Sequence, residues 1–183
     1  TAALNSYVGP ILKRYLESLQ SNLARIGFKG VLLIMQSNGG VATPQSTAST
    51  AVMTLLSGPA GGPVAGLVFT GVQGYDQCIT VDMGGTSFDA SVVQRGVPLL
   101  RSEGWIARQR LALPMLDIHT IGAGGGSIGW IDDGGLLRMG PQSAGAQPGP
   151  ACYGRGGELP TCTDANLVLG YLEPDYFLGG RMK

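Results

Sequence analysis

Ile79-Thr-Val-Asp-Met-Gly-Gly-Thr-Ser-Phe-Asp-Ala-Ser-Val-Val93 divides into an apolar run, a glycine turn and an alternating run. This pattern predicts strands over 78–82 and 88–93 joined by a tight turn, with 97–101 pairing back on the second strand after Gly96. Two adjacent glycines allow backbone N–H groups to approach an anionic oxygen with no Cβ in the way. Thr86 and Ser87 add hydroxyl donors, and Asp82 at the strand end is placed to hold a Mg²⁺-bound water or orient a nucleophile. A phosphate turn is one reading of Asp82-Met-Gly-Gly-Thr-Ser87. The other is a plain hairpin turn whose aspartate bonds its own backbone.

Working outward, apolar residues at Leu4, Val8, Ile11, Leu12, Tyr15, Leu16, Leu19 and Leu23 keep helical spacing. Pro10 predicts that this helix either starts at Gly9-Pro10 or kinks there. The run 31–35 reads as a strand buried on both faces, followed by a polar turn at 36–40. Helical segments are expected at 47–56 and 63–69, the latter entered through the glycines of 58–62. Short strands are expected at 117–121, 127–131 and 136–139, then a proline- and glycine-rich loop at 140–157. Asp164 should cap a last helix over 165–171. The class is mixed α/β with antiparallel hairpins, and one globular unit is the default for 183 residues.

Charged residues make up 13% of the chain, against about a quarter in ordinary soluble domains. Either part of the surface is covered by further polypeptide or another subunit, or this is simply a neutral, glycine-rich domain. The formal net charge is zero, with nine arginines, three lysines and no basic run, which argues against nucleic acid or an anionic membrane as partner. Glycine, proline or polar residues interrupt every apolar stretch, and the chain opens without a signal-peptide pattern, so the expectation is a soluble, cytoplasmic protein. Cys78, Cys152 and Cys162 show no C-x-x-C pairing, which points to reduced thiols rather than disulfides or zinc.

Residues 124–129 satisfy two templates, G-x-G-x-x-G and, from Gly125, G-x-S-x-G. Both require a helix to follow, and Trp130 to Gly135 reads as strand and turn instead. What remains is a glycine cluster serving either close approach to a nucleotide or a sharp structural turn. The single histidine, His119, lacks a metal-ligand or triad partner in sequence and reads as a hydrogen-bonded core residue. Cys152 reads as a plain buried thiol.

Six runs taken in order resemble the hydantoinase A/5-oxoprolinase family: Gln36-Ser-Asn-Gly-Gly40, Ser57-Gly-Pro-Ala-Gly-Gly62, Val81 to Asp89, Asp117 to Ser127, Gly145 to Gly154, and Thr163-Asp-Ala-Asn166. The resemblance covers nearly the whole chain. It implies one partial half of an actin/hexokinase-like (ribonuclease H-like) ATPase fold with a mixed sheet and hairpins, and residues 1–183 as a single partial domain of a longer polypeptide. It further implies ATP and Mg²⁺ as cofactors, with Asp82 as catalytic and metal-binding residue. Gly84, Gly85, Thr86 and Ser87 would hold phosphates, and Gly61, Gly62, Gly124, Gly125 and Gly126 would be further nucleotide contacts. The implied activity is ATP-dependent ring opening of a cyclic amide such as a hydantoin or 5-oxoproline. The implied partners are the remaining half of the polypeptide and a hydantoinase B-type subunit or domain. The rival readings are a non-catalytic nucleotide-binding or structural module and a subunit of an ATP-dependent ketone carboxylase.

Overall fold

The computed structural model describes residues 1–106 and 108–181. The chain divides into two compact units, Thr1–Thr80 with Ser91–Ile118, and Val81–Ala90 with the residues from His119 onward.

The first unit opens with α1 (Ala2–Arg25), which contains Pro10 and does not start at it. Contacts outside the helix hold its first turn. Asn5 donates to the Ser49 carbonyl at 3.3 Å and accepts from the Val52 N–H at 2.9 Å, and the Thr1 hydroxyl accepts from the Ala112 N–H at 2.9 Å. The expected doubly buried strand at 31–35 is reduced to β1 (Ile34–Met35), which pairs antiparallel with β2 (Val41–Ala42) around the polar turn. Val31 and Leu33 are exposed, at 80% and 47%, and Leu32, Ile34 and Met35 are half-buried, so no residue of the run is fully buried. The 47–56 helix resolves into α2 (Pro44–Ser49), capped by the Thr43 hydroxyl, and a 3-10 turn at Ala51–Thr54. A second 3-10 turn at Gly58–Ala60 leads into α3 (Gly61–Val72), as the glycines predicted.

Strands β3 (Cys78–Met83) and β4 (Phe88–Gln94) form the expected hairpin, and β5 (Val97–Pro98) returns on β4. Beyond Pro98 the expected partner changes: β6 (Leu100–Arg101) pairs with β9 (Met115–Leu116) rather than with β4. Between them lies a hairpin not expected from the sequence, β7 (Gly104–Ile106) with β8 (Gln109–Leu111). Its residues close the first unit's core, in which Val52, Leu111, Leu113 and Met115 pack together with Leu4, Met53, Leu55 and Ile106 around them. Strand β10 (Ile118–Ile121) completes the order β10-β4-β3.

In the second unit β11 (Ser127–Ile131) and β12 (Leu137–Ser143) form an antiparallel hairpin. The Asp132 carboxylate sets its turn, accepting from the N–H groups of Gly134 and Leu136 and from Arg138 Nε at 2.7 Å. Those donors, Leu136 first, hold the Asp132 pKa below the ordinary carboxylate value. The last helix, α4, is Cys162–Val168. Thr161 is its cap, correcting the assignment to Asp164. Asp164 stands at the third helical position and returns a bond to the Thr161 N–H, closing a capping box.

No helix among the described residues is long and apolar enough to cross a membrane.

Candidate phosphate-binding cleft

Residues 84–87 join β3 to β4, with the Gly84 N–H donating to the Ser87 carbonyl at 3.0 Å. Among the described residues, the N–H groups of Gly85, Thr86 and Ser87 have no hydrogen-bond partner. Three successive free donors in a turn are the backbone arrangement that receives an anion. The Ser87 hydroxyl is committed elsewhere, donating to Asp89 Oδ2 at 3.0 Å, while Thr120 donates to Asp89 Oδ1 at 2.5 Å. Asp89 therefore ties the turn to β10, and what Ser87 has left to offer is its N–H.

The glycine cluster that follows β10 docks directly on this turn. Gly125 N–H donates to the Gly84 carbonyl at 2.8 Å and Gly126 N–H to the Gly85 carbonyl at 2.7 Å. The need for glycine at 124 is steric. A Cβ there would lie 2.6 Å from the backbone nitrogens of both Thr86 and Ser87 and 2.7 Å from the Gly84 oxygen. At Gly84 and Gly85, by contrast, an added Cβ would meet nothing within 4 Å. The glycines of 124–126 let backbone meet backbone, whereas those of 84–85 face open space. Thr163 fixes the other side of the cluster, its N–H and hydroxyl both donating to the Gly125 carbonyl at 2.9 and 2.8 Å.

A cavity of about 670 Å³ opens beside the turn, within the size range of small-molecule sites. Gly84, Gly85, Thr86, Gly125 and Gly126 line one part of it, and Ser143, Thr163 and Asn166 add polar groups. Tyr153 and Phe177, with ring centroids 5.7 Å apart, form an apolar part with Leu172. Five of the site residues read from the sequence thus meet in one cleft, with Gly124 packed behind them. Asp82 is exposed on β3 and is not among the residues lining the cavity. Gly61 and Gly62 begin α3 in the first unit.

His119 corrects the expectation of a core histidine. It is exposed on β10 and, among the described residues, its side chain has no hydrogen bond. Cys152 is half-buried. Burial, with the Asp164 carboxylate beside it, pushes its thiol up to about 11. Asp164 itself is the residue whose structural weight the sequence understated. Burial works to raise its pKa, but hydrogen bonds from Cys152 and Thr161 outweigh it and bring the value down to about 2. Its carboxylate accepts from the N–H groups of Ala151 (3.3 Å), Cys152 (2.7 Å) and Thr161 (2.8 Å) and from the Thr161 hydroxyl (2.8 Å). It so clamps the 3-10 turn Ala151–Tyr153 to the start of α4. Ser143, Tyr153, Arg155 and Asn166 also reach the cleft and were not singled out in the sequence, although three of them lie in or beside runs that carried the resemblance.

The family model described as Hydantoinase/oxoprolinase matches residues 1–183. Caprolactamase subunit alpha from Pseudomonas jessenii is 45% identical over 183 residues, covering all of this chain and 26% of that protein. 5-Oxoprolinase 1 from Arabidopsis thaliana is 44% identical over 178 residues, covering 97% of this chain and 14% of its own length. The nucleotide-free structure of acetone carboxylase, an enzyme of ATP-dependent acetone carboxylation, superposes with a TM-score of 0.79 at 33% identity. That match covers 93% of this chain and 24% of that one. The chain shares their α/β fold and spans about a quarter or less of the length of these relatives.

Proposed function

The chain belongs to the hydantoinase/oxoprolinase family, and on that premise we propose that it supplies a nucleotide-phosphate-binding wall to an ATP-dependent enzyme that opens cyclic amides. The observation that carries this reading is the pair of unpartnered N–H groups on Gly85 and Thr86, residues that line a cleft in a turn braced by Gly124–Gly126. Preorganised donors of this kind stabilise charge on transferring phosphoryl oxygens with no reorganisation at the moment of reaction. In an actin/hexokinase-like arrangement the remainder of the polypeptide would supply the opposing wall, and a hydantoinase B-type subunit or domain would complete the enzyme.

The chemistry explains why ATP is needed. An amide carbonyl is a weak electrophile, and a phosphoryl group on its oxygen makes the ring carbon open to water. Mg²⁺ suits such a site because it is held by one or two carboxylates together with phosphate oxygens and waters, not by a full protein cage. Among the described residues no group of three or more His, Cys, Asp or Glu is placed to hold a metal. Asp82, one position before the Met83–Thr86 stretch that lines the cavity, would hold Mg²⁺ through a bound water.

Gly85→Val in the full-length protein is the test. Nothing of the chain's own lies within 4 Å of the added Cβ, so the fold should survive while the branched side chain blocks the phosphate. We expect loss of Mg-ATP binding by calorimetry with an unchanged melting curve. Unaltered affinity would mean that the turn is structural. The acetone carboxylase likeness favours a second reading, an ATP-dependent ketone carboxylase subunit. Turnover that requires ketone and bicarbonate, and ignores lactams, would select it. Nucleotide binding without turnover of either kind would select a non-catalytic module.

A further inference from the structure

Among the described residues, one that lines the cleft carries a charge, and it is Arg155. Its placement is built into the backbone. Gly154 and Gly156 on either side stand at φ +64° and +95°, the left-handed region that glycine adopts without strain. Gly157 lies so close to the preceding loop that a Cβ would fall 2.1 Å from the Gly149 carbonyl oxygen. Just upstream, the Asp164 carboxylate holds the N–H groups of Ala151 and Cys152. The loop is therefore pinned on both sides of the arginine, and among the described residues no carboxylate pairs with it. Among the described residues no carboxylate lines the cavity either, so an always-ionised arginine lines the same space as Gly85 and Thr86, whose N–H groups are free. A cleft furnished with donors and one uncompensated cation selects an anion.

We propose that Arg155 is the charge-bearing anchor for phosphate oxygens of the nucleotide, acting across the cleft from the Gly84–Thr86 turn. This rests on the nucleotide reading above. Guanidinium gives forked, charge-assisted bonds that backbone N–H groups alone do not provide. It also makes phosphate affinity, rather than base affinity, depend on this loop.

The experiment compares wild type, Arg155→Gln and Arg155→Lys in the full-length protein with its partner subunits, by titration with Mg-ATP and with adenosine at two salt concentrations. Arg155→Gln should weaken Mg-ATP binding roughly ten- to a hundredfold, the range for a lost charged hydrogen bond. It should leave adenosine affinity unchanged and flatten the salt dependence. Arg155→Lys should recover part of the affinity and the salt dependence, because a point charge remains. It also provides the reading if the glutamine variant does not fold. Mg-ATP affinity within twofold of wild type in both variants would overturn the anchor while leaving the nucleotide reading intact. Equal loss of adenosine and Mg-ATP would overturn it by showing a structural role, and an effect confined to a carboxylate-bearing lactam would assign Arg155 to the substrate instead. Wild type that binds no nucleotide would remove the nucleotide reading and the anchor with it.

Discussion

Gly124→Ala should unlatch the glycine cluster from the 84–87 turn, and its cost can be worked from the contacts. The new methyl would sit 2.6 Å from two backbone nitrogens and 2.7 Å from a carbonyl oxygen, where carbon ordinarily stands roughly 3.5 Å away. None of the three is a side chain that can swing aside, so the two backbones must separate by most of an ångström. The bonds from Gly125 and Gly126 to the Gly84 and Gly85 carbonyls, now 2.8 and 2.7 Å, would then pass the useful limit. Two lost bonds at about 1 kcal/mol each, with overpacking strain of about 1–3 kcal/mol, give a destabilisation of about 3–5 kcal/mol. Gly85→Ala is the matched control, since its methyl meets nothing, and should stay within about 0.5 kcal/mol. Thermal melts of the two variants in the full-length protein, with hydrogen exchange over residues 81–90 and 119–131, make the comparison. A Gly124→Ala protein that melts and exchanges like wild type would refute the steric argument.

Asp82→Ala is expected to abolish cyclic-amide-dependent ATP turnover with an unchanged melting curve; retained turnover in a coupled ATPase assay would remove Asp82 from the chemistry. Asp164 has a folded pKa of about 2, below its ordinary 3.8, so its ionised form adds stability above about pH 4 that is lost as pH falls toward 2. That contribution is at most about 2 kcal/mol after allowing for its partial exposure. Asp164→Asn should be less stable at neutral pH and should flatten the acid limb of a denaturation profile between pH 4 and 2, whereas an unchanged limb would deny the clamp. The 183-residue chain on its own is expected to show no ATPase activity and to self-associate through exposed apolar residues such as Phe69 (73%) and Ile79 (73%). A clean monomer by light scattering that binds ATP at micromolar affinity would contradict this.

The hairpin at β3–β4 was legible because a period-two pattern and a glycine turn agree with each other. The 104–111 hairpin was not. Arg108 takes a left-handed conformation at φ +64° in its turn, where the readable signals are glycine, asparagine or aspartate. The 31–35 run misled because apolar content alone does not show what covers it, and here Val31 stays exposed. At the site, both glycine motifs were visible, but their union was not, since Gly125 and Gly84 are 41 positions apart and only the fold makes them neighbours. Asp164 was seen as a helix-end residue, yet its bonds to Ala151 and Cys152 are contacts that local capping patterns cannot encode. Arg155 left no signal because an arginine flanked by glycines reads as an ordinary surface loop.

The clamp around Asp164, together with burial, also bears on how Cys152 meets oxidants and alkylating reagents. With its thiol at about 11, Cys152 carries the reactive thiolate at a fraction of about one in ten thousand at pH 7. It should therefore resist iodoacetamide and peroxide far longer than a solvated cysteine. Removing the Asp164 carboxylate should hasten its labelling, so the rate of modification at this one sulfur reports whether the loop carrying Arg155 is still fastened to α4.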